Sequence, residues 1–311
     1  MTHSIRHISY GLVALLLLMM SSCFTGVEST KKITDKDVKK VVEVLTQEEV
    51  EANTLAIPTD SFACWNRGKQ FYVCDNNARL IFAPSAAYNA DTLNMKGKIL
   101  AYDGYHLGSV LDNRNTVNIE FTDGKNKYVY STDKTIGEIK SGYTIPFLID
   151  MDVVRFVASK LEQRTCYIKT PIWYDLNEEM TAGRKFVGVR IDSVLPGNKV
   201  FPLKVMFTDI EARRKAMLWM TAGGTVLKNR SFDALFSLTD LRKRFPDIES
   251  DVWQCIVAGK VKTGMTKDEV RLSLGNPSSI NQRPTYEGVR EYWYYPDGRY
   301  LYFEDGLLVE R

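Results

Sequence analysis

Histidine is scarce in this sequence. Of three, His3 and His7 precede a hydrophobic run, which leaves His106 alone in the rest of the chain. That argues against metal centres and other sites assembled from several imidazoles. The five cysteines have no close ligand spacing between any two of them. One-sided charge is missing as well. Lys and Arg number 41 against 38 Asp and Glu, a formal +3 that gives no field pointing to nucleic acid as a partner. No apolar run after residue 22 is long enough to span a bilayer. With 311 residues, 44% hydrophobic and 25% charged, the chain can bury a sizeable core in two or three domains. Disordered, fibrous and polytopic membrane classes are excluded by the same balance.

The N-terminus has an order of its own. Arg6 supplies a positive region, Gly11 to Met20 an apolar stretch too short for a stable membrane span, and Met20-Ser21-Ser22-Cys23 follows. This resembles a bacterial lipobox. The resemblance implies that residues 1–22 are a signal peptide cut before Cys23, whose sulfur takes a diacylglycerol while the new amino terminus takes a third acyl chain. Several chains make a durable anchor. An ordinary cleaved signal with an incidental cysteine is the alternative. Phe24 and Thr25 provide no acidic retention signal, which favours the outer membrane, on its periplasmic face. Four cysteines remain for an oxidising compartment: Cys64, Cys74, Cys166 and Cys255. Arg67-Gly68-Lys69 can turn the chain and bring Cys64 beside Cys74, so either a disulfide joins them or Cys74 is simply packed.

Residues 23–60 read as a lipid-anchored tether followed by an amphipathic helix opening at Thr34, with Asp37 as its capping-box partner. Val38, Val41, Val42 and Leu45 share one face of that helix, which is expected to dock on its own domain and to end before Pro58. Residues 61–150 form a first β-rich module, with strands expected at Gln70–Cys74, Arg79–Phe82, Lys98–Tyr102, Thr116–Phe121, Lys127–Tyr130 and Thr144–Leu148. Asp112-Asn113 and Asp123-Gly124 mark turns between them. Residues 151–230 hold a linker helix from Asp150 and a second β-rich module, with strands at Cys166–Lys169, Lys185–Ile191 and Lys199–Phe207. Phe121-Thr122-Asp123 is echoed by Phe207-Thr208-Asp209, which suggests a duplication. The strand sizes and turn spacing over 92–222 resemble a pair of bacterial Src-homology-3-like barrels.

Residues 231–311 carry sharper signals. Thr266 with Glu269 makes a capping box and Met265 with Val270 a hydrophobic staple, so a helix starts there and stops at Gly275 ahead of Pro277. Trp253, Ile256 and Val257 argue for a preceding helix. Three strands follow, Val289–Tyr295, Arg299–Glu304 and Leu307–Glu310, joined at Pro296-Asp297-Gly298 and Asp305-Gly306 as a meander. Over 248–311 this order resembles the SmpA/OmlA family of outer-membrane assembly lipoproteins. The matching positions are Gly264, Met265, Thr266, Glu269, Val270, Leu274, Gly275, Pro277, Trp293, Tyr294, Tyr295, Leu301, Phe303, Gly306 and Leu308. The expected fold is thus α+β and mostly β, two small antiparallel barrel-like modules followed by a two-helix, three-strand meander.

On that meander Trp293, Leu301 and Phe303 are placed to face the helices, while Tyr292, Tyr294, Tyr300 and Tyr302 alternate onto the other side. Those four tyrosines form either a binding platform for an envelope protein or cell-wall glycan, or a face packed on the barrels. No nucleophile signature surrounds any cysteine, and His106 has none near it in sequence, so no catalytic residue, metal or cofactor is expected. The clusters Arg213-Arg214-Lys215 and Arg242-Lys243-Arg244 read as solvated faces. The functional expectation is a non-enzymatic, lipid-anchored envelope protein acting as an interaction or scaffolding module. An accessory subunit of outer-membrane protein assembly and a cell-wall hydrolase are the alternatives. Cys23→Ser is expected to abolish acyl labelling and release the chain from membranes; continued pelleting of that variant after a salt wash would contradict the anchor.

Overall fold

The computed structural model describes residues 55–82, 94–108, 115–222, 228–285 and 288–310. The expected signal peptide, Cys23, the helix expected from Thr34 and the turn expected at Asp112-Asn113 lie outside them. The fold is α+β and mostly β, with several antiparallel sheets that include a half-barrel. The described residues divide into two compact units, residues 55–247 with 257–259, and residues 248–256 with 260–310.

In the larger unit, alternation of buried and outward residues sets the first sheet. Its strands are β1 (Gln70–Val73), β2 (Ile99–Leu107), β3 (Val117–Thr122), β4 (Lys127–Ser131) and β5 (Leu148–Asp150), in the antiparallel order β4-β3-β2-β1-β5. Phe71, Val73, Leu100, Tyr102, Val117, Ile119 and Phe121 point into one core. Each such side chain contributes about 1.5–3 kcal/mol when fully buried. Asp150 then caps helix α1 (Met151–Leu161), its carboxylate accepting the Asp152 amide at 2.8 Å.

The second sheet follows: β6 (Thr165–Ile168), β7 (Ile172–Tyr174), β8 (Met180–Ala182), β9 (Gly188–Pro196), β10 (Leu203–Asp209) and β11 (Lys215–Met220). Helix α2 (Phe232–Leu235), strand β12 (Phe236–Ser237) and helix α3 (Leu241–Arg244) complete it. Its order, β12-β6-β9-β10-β11-β7-β8, contains the first sheet again. Strands β6, β9, β10, β11 and β12 repeat the neighbours of β1, β2, β3, β4 and β5, and the β7-β8 hairpin is added outboard of β11. The Phe-Thr-Asp echo falls at equivalent places in this repeat. Asp123 accepts the amides of Lys125 and Asn126 at 3.0 and 2.7 Å, and Asp209 those of Glu211 and Ala212, both at 2.9 Å. Each aspartate also takes a cation, Lys98 at 3.2 Å and Arg184 at 2.9 Å. The helices after the last strands are capped alike, by Asp150 and by Asp240.

The two sheets share one unit because α1 buries Val154, Val157 and Leu161 in a cluster that includes Ile149 of the first sheet and Val189, Val205 and Phe207 of the second. This second module runs on to Asp247, past the expected boundary at 230, since β12 pairs with β6.

The smaller unit contains helices α4 (Ser250–Val257) and α5 (Lys267–Leu274) and strands β13 (Ser279–Thr285), β14 (Gly288–Tyr294), β15 (Tyr300–Glu304) and β16 (Leu307–Glu310). The capping box forms as expected: Thr266 Oγ1 accepts the Glu269 amide at 3.3 Å, and Glu269 accepts the Thr266 amide at 2.8 Å. Gly275 ends α5 at φ 84°, a backbone conformation that favours glycine. The meander has four strands, in order β13-β14-β15-β16, where three were expected. Ser279–Thr285 is polar and contains Pro284, so it has no alternating signature, and Pro is tolerated there because β13 is an edge strand.

Other expectations fail for local reasons. Arg79–Phe82 is no strand. Asp75 accepts the Asn77 amide and winds Asn76–Leu80 into a 3-10 turn. The strand expected at Thr144–Leu148 begins only at Leu148, because Pro146 lacks an N–H and Phe147 sits at φ 65°. The strand expected at Lys185–Ile191 starts at Gly188 and runs on to Pro196. Arg244 is buried, donating to Ser237 Oγ at 3.0 Å and Thr239 Oγ1 at 2.8 Å, and so leaves the solvated cluster to which it was assigned.

Trp293 is wholly buried, so Trp293→Ala is expected to cost about 3–5 kcal/mol through lost burial and a cavity. Thr266→Ala is expected to cost about 1 kcal/mol through the lost cap. Chemical denaturation of the two variants checks both the values and their order.

Candidate functional site

The meander presents two unlike faces because successive side chains on a strand point to opposite sides. On one face Trp293, Leu301, Phe303 and Leu308 are buried. Glu291 joins them, although it is charged. Its carboxylate receives Lys267 of α5 at 2.7 Å, Gln282 at 3.0 Å and the Trp293 indole N–H at 2.9 Å, while the Arg271 guanidinium lies 4.6 Å from the Trp293 ring centre. Residues 264–266 run along β16, with the Gly264 amide donating to the Leu308 carbonyl and the Leu308 amide to the Met265 carbonyl, both at 2.8 Å. That pairing covers the β16 edge.

The opposite face carries the four tyrosines in two cross-strand pairs, Tyr292 with Tyr302 and Tyr294 with Tyr300. Tyr292 and Tyr302 stack with ring centres 5.1 Å apart and are half-buried. Tyr294 and Tyr300 are 44% and 46% exposed, well beyond what a core aromatic shows. Arg283 lies over the Tyr292 ring at 5.7 Å. Tyr302 donates its hydroxyl to Glu304, a bond that, with a smaller contribution from desolvation, pushes its pKa up to about 12. Glu304 also accepts Arg290 Nε at 3.0 Å, and the Tyr302 hydroxyl first, with Arg290 next, holds its carboxyl below the usual range. The outcome is a sheet face with two exposed aromatic rings, two stacked ones and a fixed row of Arg290, Glu304 and the Tyr302 hydroxyl. Such a face can take a flat apolar surface and offer hydrogen bonds at its border.

The thiols and the histidine are not brought together. Cys64 is exposed in the 3-10 turn Phe62–Cys64, and Cys74 is packed among Ile149, Val154 and Val189. Both are free, so of the two alternatives for Cys74, a bridge to Cys64 or simple packing, the structure has the second. Arg67-Gly68-Lys69 does turn the chain, but only β1 forms on one side of the turn. Burial pushes the Cys74 thiol up, and that of Cys166 up to about 12, which keeps both protonated and poorly nucleophilic. His106 lies on β2, half-exposed, its Nδ1 2.8 Å from Glu120.

Sequence reasoning did not find the group around Lys69. Its ammonium is buried and meets Asp152 at 2.5 Å, Asp150 at 2.8 Å and Asp60 at 3.0 Å. Burial opposes the charge, but the hydrogen bonds that the ammonium donates to Asp150, Asp152 and Asp60 outweigh it and hold the lysine above its usual range. The three carboxylates are close enough together to hold a metal ion, and the cation among them is this ammonium. A small cleft of about 160 Å³ opens beside them, lined among others by Trp65, Tyr143, Asp60 and Asp150. No local motif announces the cluster, since Lys69 and Asp152 are 83 residues apart.

Asp152 has a lowered pKa. Burial would raise it, but hydrogen bonds from Lys69 and then Arg155 override that. Its contribution to stability is therefore complete above the ordinary carboxylate pKa and is lost as the pH falls through the lower folded value. Lys69→Met removes the partner and leaves three carboxylates facing one another. It is expected to cost about 2 kcal/mol at pH 7, reduced from the fully buried case because Asp60 and Asp152 are half-exposed. The deficit is expected to shrink as the pH falls towards 4 and the crowded carboxylates protonate; denaturation at the two pH values checks the sign. No family model, no curated protein and no solved structure matches this chain.

Proposed function

We propose that this chain is a non-enzymatic cell-envelope protein, anchored through lipid on Cys23, that binds a partner surface through Tyr292, Tyr294, Tyr300 and Tyr302. The observation that carries the reading is the exposure of Tyr294 and Tyr300 on a sheet face whose other side buries Trp293, Leu301, Phe303 and Leu308. Tyrosine is among the residues most concentrated at binding hot spots, and here two of them lie as neighbours on one sheet face. Two further points support it. The lipobox-like Met20-Ser21-Ser22-Cys23 supports the anchor, and among the described residues no helix is long and apolar enough to cross a membrane. Of the four cysteines outside that signal, Cys74 and Cys166 are buried with raised pKa, and the carboxylate beside His106 leaves that imidazole paired without a nucleophile. No chemical step is therefore assigned to Cys74, Cys166 or His106.

The test separates binding from packing. Tyr294→Ser combined with Tyr300→Ser is expected to lower capture of the crosslinked partner from envelope extracts at least tenfold, with a stability change within about 0.5 kcal/mol. Marked destabilisation with unaltered capture would show that these rings serve packing, and the reading would fall.

A further inference from the structure

A second cleft, of about 330 Å³, lies in the larger unit against α1 and α2. Ligand pockets run from about 300 to 1,000 Å³, so this one has room for one chain or ring and not for several. Its floor is apolar, made by Phe156 and Leu161 of α1, Phe232 of α2, and Leu238. Leu161 and Phe232 belong to the core and Phe156 and Leu238 pack half-buried against it, so apolar surface continues from the core to the opening. Its rim carries Lys160 and Arg164, both exposed, and no carboxylate is among its lining residues.

Among the described residues no carboxylate forms an ion pair with Lys160 or Arg164. The Lys160 ammonium instead stands 5.6 Å from the centre of the Phe156 ring, at the border between floor and rim. In the last turn of α1 it also suits the helix dipole, but Arg164 lies beyond the helix and has no such duty. The repeat sharpens the contrast. Lys69, the residue ahead of the first strand of the first sheet, is matched by Asp60, Asp150 and Asp152. Arg164 holds the same place ahead of β6 without such carboxylates. The anion that the first sheet draws from its own chain has no counterpart in the second.

We propose that this cleft binds a single-chain amphiphile with an anionic head, its chain lying on Phe156, Leu161, Phe232 and Leu238 and its head meeting Lys160 and Arg164. A guanidinium takes two oxygens of a carboxylate or phosphate through parallel N–H donors, and an ammonium adds a point charge beside it. The buried chain supplies affinity in proportion to its length, and the two cations supply selection for the sign of the head. The volume limits the ligand to one chain, which distinguishes capture of a lone acyl anion from contact with a bilayer. The cleft and the tyrosine face belong to different units, so this binding stands apart from the partner surface proposed above.

Calorimetric titration of residues 24–311, which keep every described residue, with dodecanoate below its micelle-forming concentration tests the site. Saturation at one dodecanoate per chain is expected, weakening as salt rises. Dodecyltrimethylammonium, with the same chain and the opposite charge, and butyrate, with the charge and little chain, are each expected to bind at least tenfold more weakly. Lys160→Gln with Arg164→Gln is expected to raise the dodecanoate Kd at least tenfold and to leave the melting temperature unchanged, since both side chains are exposed. Amide hydrogen exchange is expected to slow at 156–161 and 232–238 when dodecanoate is bound. No saturable binding, equal affinity for the two head charges, or a Kd indifferent to Lys160→Gln with Arg164→Gln would overturn the proposal. So would protection confined to other segments. Binding to anionic phospholipid vesicles that the double variant abolishes, without saturable dodecanoate binding, would overturn it too, by giving the two cations to a bilayer.

Discussion

The ammonium of Lys69 is the constraint on which the larger unit depends. It stands just before β1, the strand paired between β2 and β5 in the first sheet, and binds Asp150, the last residue of β5 and the cap of α1. The same ammonium takes Asp152 in the first turn of α1 and Asp60 in the chain that leads into the sheet. One charge thus fixes where a strand begins, where its neighbour ends and where the helix starts. Because α1 carries the apolar face shared by both sheets, its placement is also the placement of the second sheet.

The second sheet repeats the first with different chemistry at the corresponding points. Asp240 caps α3 as Asp150 caps α1, and Asp209 closes its turn as Asp123 does. The residue ahead of the first strand is Lys69 in one and Arg164 in the other. Lys69 is buried among carboxylates, whereas Arg164 is exposed on the rim of an apolar cleft. The repeated scaffold therefore holds two clefts of opposite character, an acidic and aromatic one and a basic and apolar one. The β7-β8 hairpin is the addition that makes the copies unequal in size.

Much of the fold was legible because it is written locally. Strict alternation announced β1, β3 and β4, the Thr266 and Glu269 pair announced the start of α5, and Phe-Thr-Asp announced the two matching turns. What escaped is written across distance or in polar residues. The cluster of Lys69 with Asp150 and Asp152 joins residues more than 80 apart, and Glu291 looks solvent-facing until Lys267 is brought over it. Strand β13 has no apolar face, being held by pairing with β14 alone. Of the candidate site, the two-sided division of the meander was readable from period two, but the stacking of Tyr292 on Tyr302 and the exposure of Tyr294 and Tyr300 needed the register of β14 against β15.

Function, as proposed, comes from division of labour between the two faces of that meander. The inner face spends its aromatics and its one buried carboxylate on the side of α5, while on the outer face Tyr292 and Tyr302 stack on each other and Tyr294 and Tyr300 stay exposed. The most direct measurement is site-specific photo-crosslinking in intact cells, with the photoreactive residue at position 294 or 300 and, for comparison, at Lys125 on an exposed turn of the first sheet. The proposal predicts one discrete crosslinked species from 294 and 300 and none from 125. Equal, diffuse labelling from all three positions, or none from the tyrosine positions, would contradict it.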